Sequence, residues 1–278
     1  MAAGRERDAK RTADVRKNNK FGGMNVGKII AFANQKGGVG KTTSAVNIAS
    51  ALGQMGKRTL LVDADPQGNA TSAVGIAKKN LRFSLYTLLA GASGAEETVR
   101  ETGFDNLFVI PSNIELAACE LELSALDKRE SRLKSALEPL KAAYDYIIID
   151  CPPSLGMITL NALVASDGVV IPMQCEYFAL EGLSQLTGTV SRVQKLYNPS
   201  LELTGILITM YNGRLNLSLQ VLREIKRYYA SKLFATPVQR NVRLSEAPSF
   251  GKPIGYFDRH SVGCKCYEEI AKELTERL

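Results

Sequence analysis

Six short stretches of the chain are almost wholly apolar: KIIAFAN (28–34), RTLLVDAD (58–65), LFVI (107–110), YIIID (146–150), GVVIP (168–172) and LTGILIT (203–209). Runs of this length with no polar alternation predict strands buried on both faces. Between them the apolar positions fall at helical spacing. Val46, Ala49, Leu52 and Met55 mark a helix over 42–55 that Gly56 ends, and similar patterns cover 114–126, 181–197 and 217–232. Strands alternating with helices predict an α/β fold, a sheet rich in parallel pairs with helices on both faces. Neither a repeat nor a linker breaks the pattern, which reads as one domain over 28–278 behind a leader of 27 residues. In such sheets ligands bind at the carboxyl ends of strands. Three candidate motifs fall there: a glycine loop after the first strand, Asp63 and Asp65 after the second, and Asp150 after the fourth.

Composition adds a partner class. The 278 residues carry a net charge of +7 and a pI near 9.1, which favours a polyanion or an anionic surface. Part of the excess lies in the leader, where Arg5, Arg7, Lys10, Arg11, Arg16, Lys17 and Lys20 outnumber Glu6, Asp8 and Asp14. That leader reads as a flexible solvated tail or as an auxiliary arm on DNA, too short for a helix-turn-helix domain. No apolar run approaches the roughly 20 residues of a membrane helix, and the N-terminus lacks a secretory signal's apolar segment. Five cysteines without framework spacing fit a reducing compartment, so a cytoplasmic protein is expected.

The loop ANQKGGVGKTT (33–43) carries chemistry. A strand-to-helix turn offers unpaired N–H groups at the positive end of the helix dipole. Gly37, Gly38 and Gly40 let the backbone approach phosphate oxygens, with Val39 between them and Thr43 following. Lys41 is placed to reach the β- and γ-phosphates of a nucleotide, and Thr42 to hold Mg²⁺. The usual first glycine of such a loop is Gln35 here, followed by a second lysine, Lys36. This segment resembles the deviant Walker A loop of the ParA/MinD class of ATPases. The resemblance implies a P-loop NTPase fold, ATP and Mg²⁺ as cofactors, and a homodimer with ATP between the subunits. Lys36 would cross to the partner's nucleotide, where a cation offsets repulsion between two triphosphates. The alternative is that Lys36 serves its own subunit's phosphates or solvent.

Asp63 and Asp65 stand two apart, on one side of a strand if it continues. Asp150 closes an apolar strand in a Walker B arrangement, where an acid holds water on Mg²⁺. The lone histidine, His260, lies beside no motif. By the same resemblance Asp65 orients the attacking water, Asp63 supports the Mg²⁺ shell and Asp150 is the Walker B acid, so Lys36, Lys41 and Asp65 form the catalytic set. Each acid has a plain structural alternative as a cap or turn former.

TMYNGRLNLS (209–218) and RNVRLSEAPSFGKPI (240–254) resemble the partition ATPases of the ParA/Soj group, a likeness that runs from 28 to 278. It implies ATP-dependent chromosome or plasmid partition on the nucleoid, with hydrolysis stimulated by a ParB-like centromere-binding partner. It also implies sequence-blind binding of double-stranded DNA through Arg214 and Arg243, with Arg240 and Lys252 as weaker candidates, and adenine contacts near Gln239 and Asn241. Ion pairing with acids such as Glu246 is the competing role for these arginines. Two relatives of the same core are rival readings. A MinD-like enzyme needs a lipid-gripping C-terminal helix. The tail YEEIAKELTERL (267–278) has an apolar stripe, but its polar face is acidic, which suits core packing better than a membrane. An iron–sulfur carrier would use Cys264 and Cys266, whose plain alternative is ordinary packing.

Overall fold

The computed structural model describes residues 27–278, so the basic leader lies outside the described residues apart from Gly27. Seven strands form one sheet: β1 (Lys28–Phe32), β2 (Thr59–Asp63), β3 (Arg100–Glu101), β4 (Leu107–Ile110), β5 (Tyr146–Asp150), β6 (Gly168–Met173) and β7 (Glu202–Ile208). Their order is β3-β4-β2-β5-β1-β6-β7. All pairs are parallel except β3 with β4. The helices are α1 (Lys41–Gln54), α2 (Asn69–Ala73), α3 (Leu85–Leu89), α4 (Ala95–Thr98), α5 (Leu116–Ser124), α6 (Arg132–Leu137), α7 (Met157–Ala165), α8 (Ala179–Leu196), α9 (Asn216–Tyr229), α10 (Val242–Glu246), α11 (Ile254–Phe257) and α12 (Val262–Arg277).

The apolar runs are continuous because both faces of the sheet are covered. Along β1, Ile29 and Ala31 enter one core cluster while Ile30 and Phe32 enter the other. Ile147 and Ile149 of β5 likewise oppose Ile148. One cluster contains the buried positions of α1 and α12, the other those of α5 to α9, so alternate residues of each strand meet helices on opposite sides. All six expected strands form. The antiparallel edge strand β3 was not expected, since two charged residues give no pattern. Nor was α7, whose buried MITLNALVA lacks the polar face by which helices are recognised.

The tail helix α12 packs on α1, with Tyr267, Ile270, Ala271 and Leu274 at 2% exposure or less. Its apolar stripe packs into the core. Among the described residues no helix is long and apolar enough to cross a membrane.

Candidate nucleotide site and its basic flank

Strand register brings the motifs together. β5 lies between β1 and β2, so Asp150 stands level with Phe32 on one side and with Asp63 on the other. The glycine loop leaves β1 one step further on. Gly38 and Gly40 have φ of +72° and +81°, the left-handed region that a side chain would strain. The α1 N-terminus has neither a side-chain cap nor an acid in its first turn, which leaves its N–H groups available to an anion.

Lys41 is buried and donates from Nζ to the carbonyl of Lys36 at 2.9 Å. Burial lowers its pKa, partly offset by the nearby Asp150, Cys151 and Asp65. The Asp150 carboxylate is fully buried and neither oxygen has a hydrogen-bond partner. The Thr42 hydroxyl approaches and favours the charged form without making a regular hydrogen bond. Burial first, and the charge of Asp63 second, raise the Asp150 pKa well above the carboxylate range. An orphaned acid of this kind, beside a hydroxyl and at the end of a phosphate-type loop, fits a Mg²⁺ held through Thr42 and through water on Asp150.

Asp63 is differently placed. Oδ2 accepts from the backbone N–H and the hydroxyl of Thr71, both at 2.7 Å, and Oδ1 accepts from the N–H of Asp65 at 3.2 Å. Burial still pushes its pKa up to about 6 against these bonds. Asp63 thus organises the turn that carries Asp65, rather than presenting free oxygens. Asp65 is 8% exposed and accepts from the N–H of Gln67 at 2.9 Å.

Lys36 forms an ion pair with Glu176 of its own chain, and both side chains are about half exposed. Gln174 donates to the carbonyl of Gly38 at 2.7 Å, and Thr209 Oγ1 donates to that of Val39 at 2.8 Å. The ends of β6 and β7 therefore grip the loop from one side. Sequence reading missed Gln174, Glu176 and the loop contact of Thr209; their position at carboxyl strand ends was the available signal. A cavity of about 440 Å³ opens between Gly40 and Thr43 on one side and Gln239 and Asn241 on the other. Met210 on its wall has φ +49°, unusual for a residue with a side chain.

The arginine segments divide. Arg214 and Arg240 line a neighbouring cleft of about 800 Å³ that Gln239 also borders. Lys252 is exposed beside a third cleft that reaches Thr42 and Thr43. Arg243 turns elsewhere: it pairs with Glu246 at 2.9 Å and Asp258 at 2.8 Å, and lies 5.1 Å from the Phe257 ring. The pairing role weighed for these arginines is the one Arg243 adopts. Cys264 is buried, with its thiol toward Glu268 and its pKa pushed up to about 12, first by burial. It packs rather than pairing with Cys266, and among the described residues no group of three or more His, Cys, Asp or Glu side chains is placed to hold a metal ion.

Comparison with known proteins agrees with this geometry. A family profile described as an AAA domain matches residues 27–203. The sporulation initiation inhibitor protein Soj of Bacillus subtilis is 55% identical over 250 residues, covering 90% of this chain and 99% of its own. The chromosome partitioning protein ParA of Myxococcus xanthus is 52% identical over 256 residues, covering 92% and 90%. A solved structure, cobyrinic acid a,c-diamide synthase from Mycobacterium smegmatis with bound ADP and magnesium, superposes with a TM-score of 0.79 at 38% identity, covering 90% of this chain and 94% of that one. A deviant phosphate loop backed by a buried acid, on a sheet of this order, thus occurs in a chain aligned almost end to end with partition proteins: the chain belongs to the Soj/ParA family of P-loop ATPases.

Proposed function

We propose that this chain binds Mg·ATP, dimerises with nucleotide between two subunits, and in that state holds duplex DNA without reading its sequence. Hydrolysis, stimulated by a ParB-like partner, returns it to a DNA-free form, so that occupancy of the nucleoid follows nucleotide state in the cytoplasm. One observation carries the nucleotide reading: the buried, unpartnered Asp150 carboxylate, set behind Thr42 and Lys41 at the end of a glycine loop. Burial disfavours ionisation of an acid left without a hydrogen-bond partner, and a cation bound beside it would repay the cost of the charged form.

The residues divide the work. The backbone of Gly37, Gly38, Val39 and Gly40 cradles phosphate, and Lys41 exchanges the Lys36 carbonyl for phosphate oxygens. Thr43 and the cavity bordered by Gln239 and Asn241 take the nucleoside. Bound Mg²⁺ would neutralise charge developing between the β- and γ-phosphates. Asp65 orients the attacking water, while Asp63 holds Asp65 by fixing Thr71 and the turn between them, an indirect support for the metal shell. Lys36 leaves Glu176 to reach the partner's nucleotide. Arg214 and Arg240, with Lys252, supply phosphate contacts on DNA, and Arg243 contributes less because two carboxylates already neutralise it.

The decisive experiment measures binding to a random-sequence duplex with ATP, ADP or no nucleotide across a salt series. Tight binding only with ATP, weakening steeply with salt, is expected. Equal binding in all three states overturns the cycle. Light scattering on Asp65→Ala saturated with Mg·ATP tests the dimer, and a monomer there defeats it.

A further inference from the structure

The outer face of α9 carries cations that the motifs did not single out. Arg223, Lys226 and Arg227 are exposed, and among the described residues none forms an ion pair. They stand at i, i+3 and i+4, so they share one face over a single turn. Ser218, Val221 and Ile225 take the opposite face into the core. The helix contains one acid, Glu224, which is partly buried. Tyr228 is 68% exposed, and the Arg227 guanidinium lies 5.4 Å from its ring. Arg214 sits two residues before the helix begins. From Arg223 to Arg227 the cations span roughly 6 Å of helix axis at 1.5 Å per residue, about two phosphate intervals along one DNA strand.

From this row we infer that α9 extends the DNA contact from Arg214, with Arg223, Lys226 and Arg227 on successive backbone phosphates. The inference rests on the proposed DNA-bound state and deepens it: the track runs along α9, away from the paired Arg243. A polyanion is favoured over a lipid surface because Val221 and Ile225 are packed in the core, and the exposed Leu215, Leu217 and Leu219 gather at the start of α9, before the turn that carries the three cations. Flexible cations in a row, without a pocket between them, suit a repeating charge rather than a shaped ligand.

The test uses the full chain with Arg223→Gln, Lys226→Gln and Arg227→Gln combined, in the Asp65→Ala background. These are surface positions, and circular dichroism checks the fold. ATP-driven dimerisation by light scattering should match the parent. Affinity for a random-sequence duplex, by fluorescence anisotropy at 100 mM salt, should fall roughly tenfold or more, and the slope of log K against log salt should flatten by about 2 to 3. Unchanged affinity and slope in this variant, while Arg214→Ala loses DNA, overturns the α9 track and leaves the ATP cycle standing. No ATP-dependent DNA binding by the parent defeats the cycle and the track together. Loss of flotation on phosphatidylglycerol vesicles with DNA affinity intact also overturns the inference, assigning the face to lipid.

Discussion

Lys41 and Arg223 are both cations with work to do on phosphate, but they wait for it in opposite ways. Lys41 is buried, donates to a backbone carbonyl, and shares a water-poor end of the sheet with Asp63 and Asp150. Arg223, Lys226 and Arg227 on α9 stand in solvent, and among the described residues no carboxylate forms an ion pair with them. In the first region charges are pre-placed at low dielectric, where each is worth more and costs more. In the second, affinity comes from counterions released into bulk water, so it is cheap to maintain and falls with salt. One region suits a single triphosphate held in fixed geometry. The other suits a long polymer gripped anywhere along its length.

The comparison breaks most visibly at Lys41. Lys41→Ala should lower affinity for a fluorescent ATP analogue roughly a hundredfold, because a charge-assisted contact made at low dielectric is lost. A similar truncation on the solvated α9 face should cost only a few-fold per residue for DNA.

The next largest effect is a pH dependence confined to the buried end. The Asp63 pKa is raised to about 6 in the folded chain from an ordinary value of 3.8. Between these values the folded chain binds more protons than the unfolded one. Stability from this group is therefore fully present below the lower value and lost as pH rises through about 6. The loss is at most about 3 kcal/mol for a shift near 2 units. Thermal unfolding of nucleotide-free protein from pH 4.5 to 7 should show Tm decreasing through this window, and Asp63→Asn should flatten the change.

Asp150→Asn should leave the Tm of the nucleotide-free form within about 2 °C of the parent, since burial already favours the uncharged carboxyl that the amide replaces. The same change should abolish any added stabilisation by Mg²⁺ with ATP. A lower Tm without ligand would mean that Asp150 has a partner within the fold.

The smallest effect belongs to Arg243. Together Arg243, Glu246 and Asp258 carry a net −1, so Arg243→Ala should weaken DNA binding less than about threefold. Replacing both acids by their amides should free the guanidinium and strengthen DNA binding by a similar factor in anisotropy titrations.

The six apolar runs and the residues at their ends were sufficient to place the loop, Asp63 and Asp150 at the carboxyl end of a parallel sheet. Burial on both faces demands continuous apolar strands, and that demand is written locally. The phosphate loop is equally local, since glycine at positive φ and a following lysine lie within a few residues of each other. What only the tertiary structure decided is which polar group meets which. Asp63 and Asp65 look equivalent in sequence, yet register and the α2 turn give Asp63 to Thr71 and leave Asp65 beside the loop. Glu176 is 140 residues from Lys36 and becomes its partner only because β6 lies beside β1. Arg214 and Arg243 both sit in segments of the partition type, but only the fold brings Asp258 to Arg243 and sets Arg214 just before a helix whose exposed cations form no ion pair among the described residues. Propensity and apolar pattern act over a few neighbouring residues, whereas charge pairing depends on distances that chain topology sets.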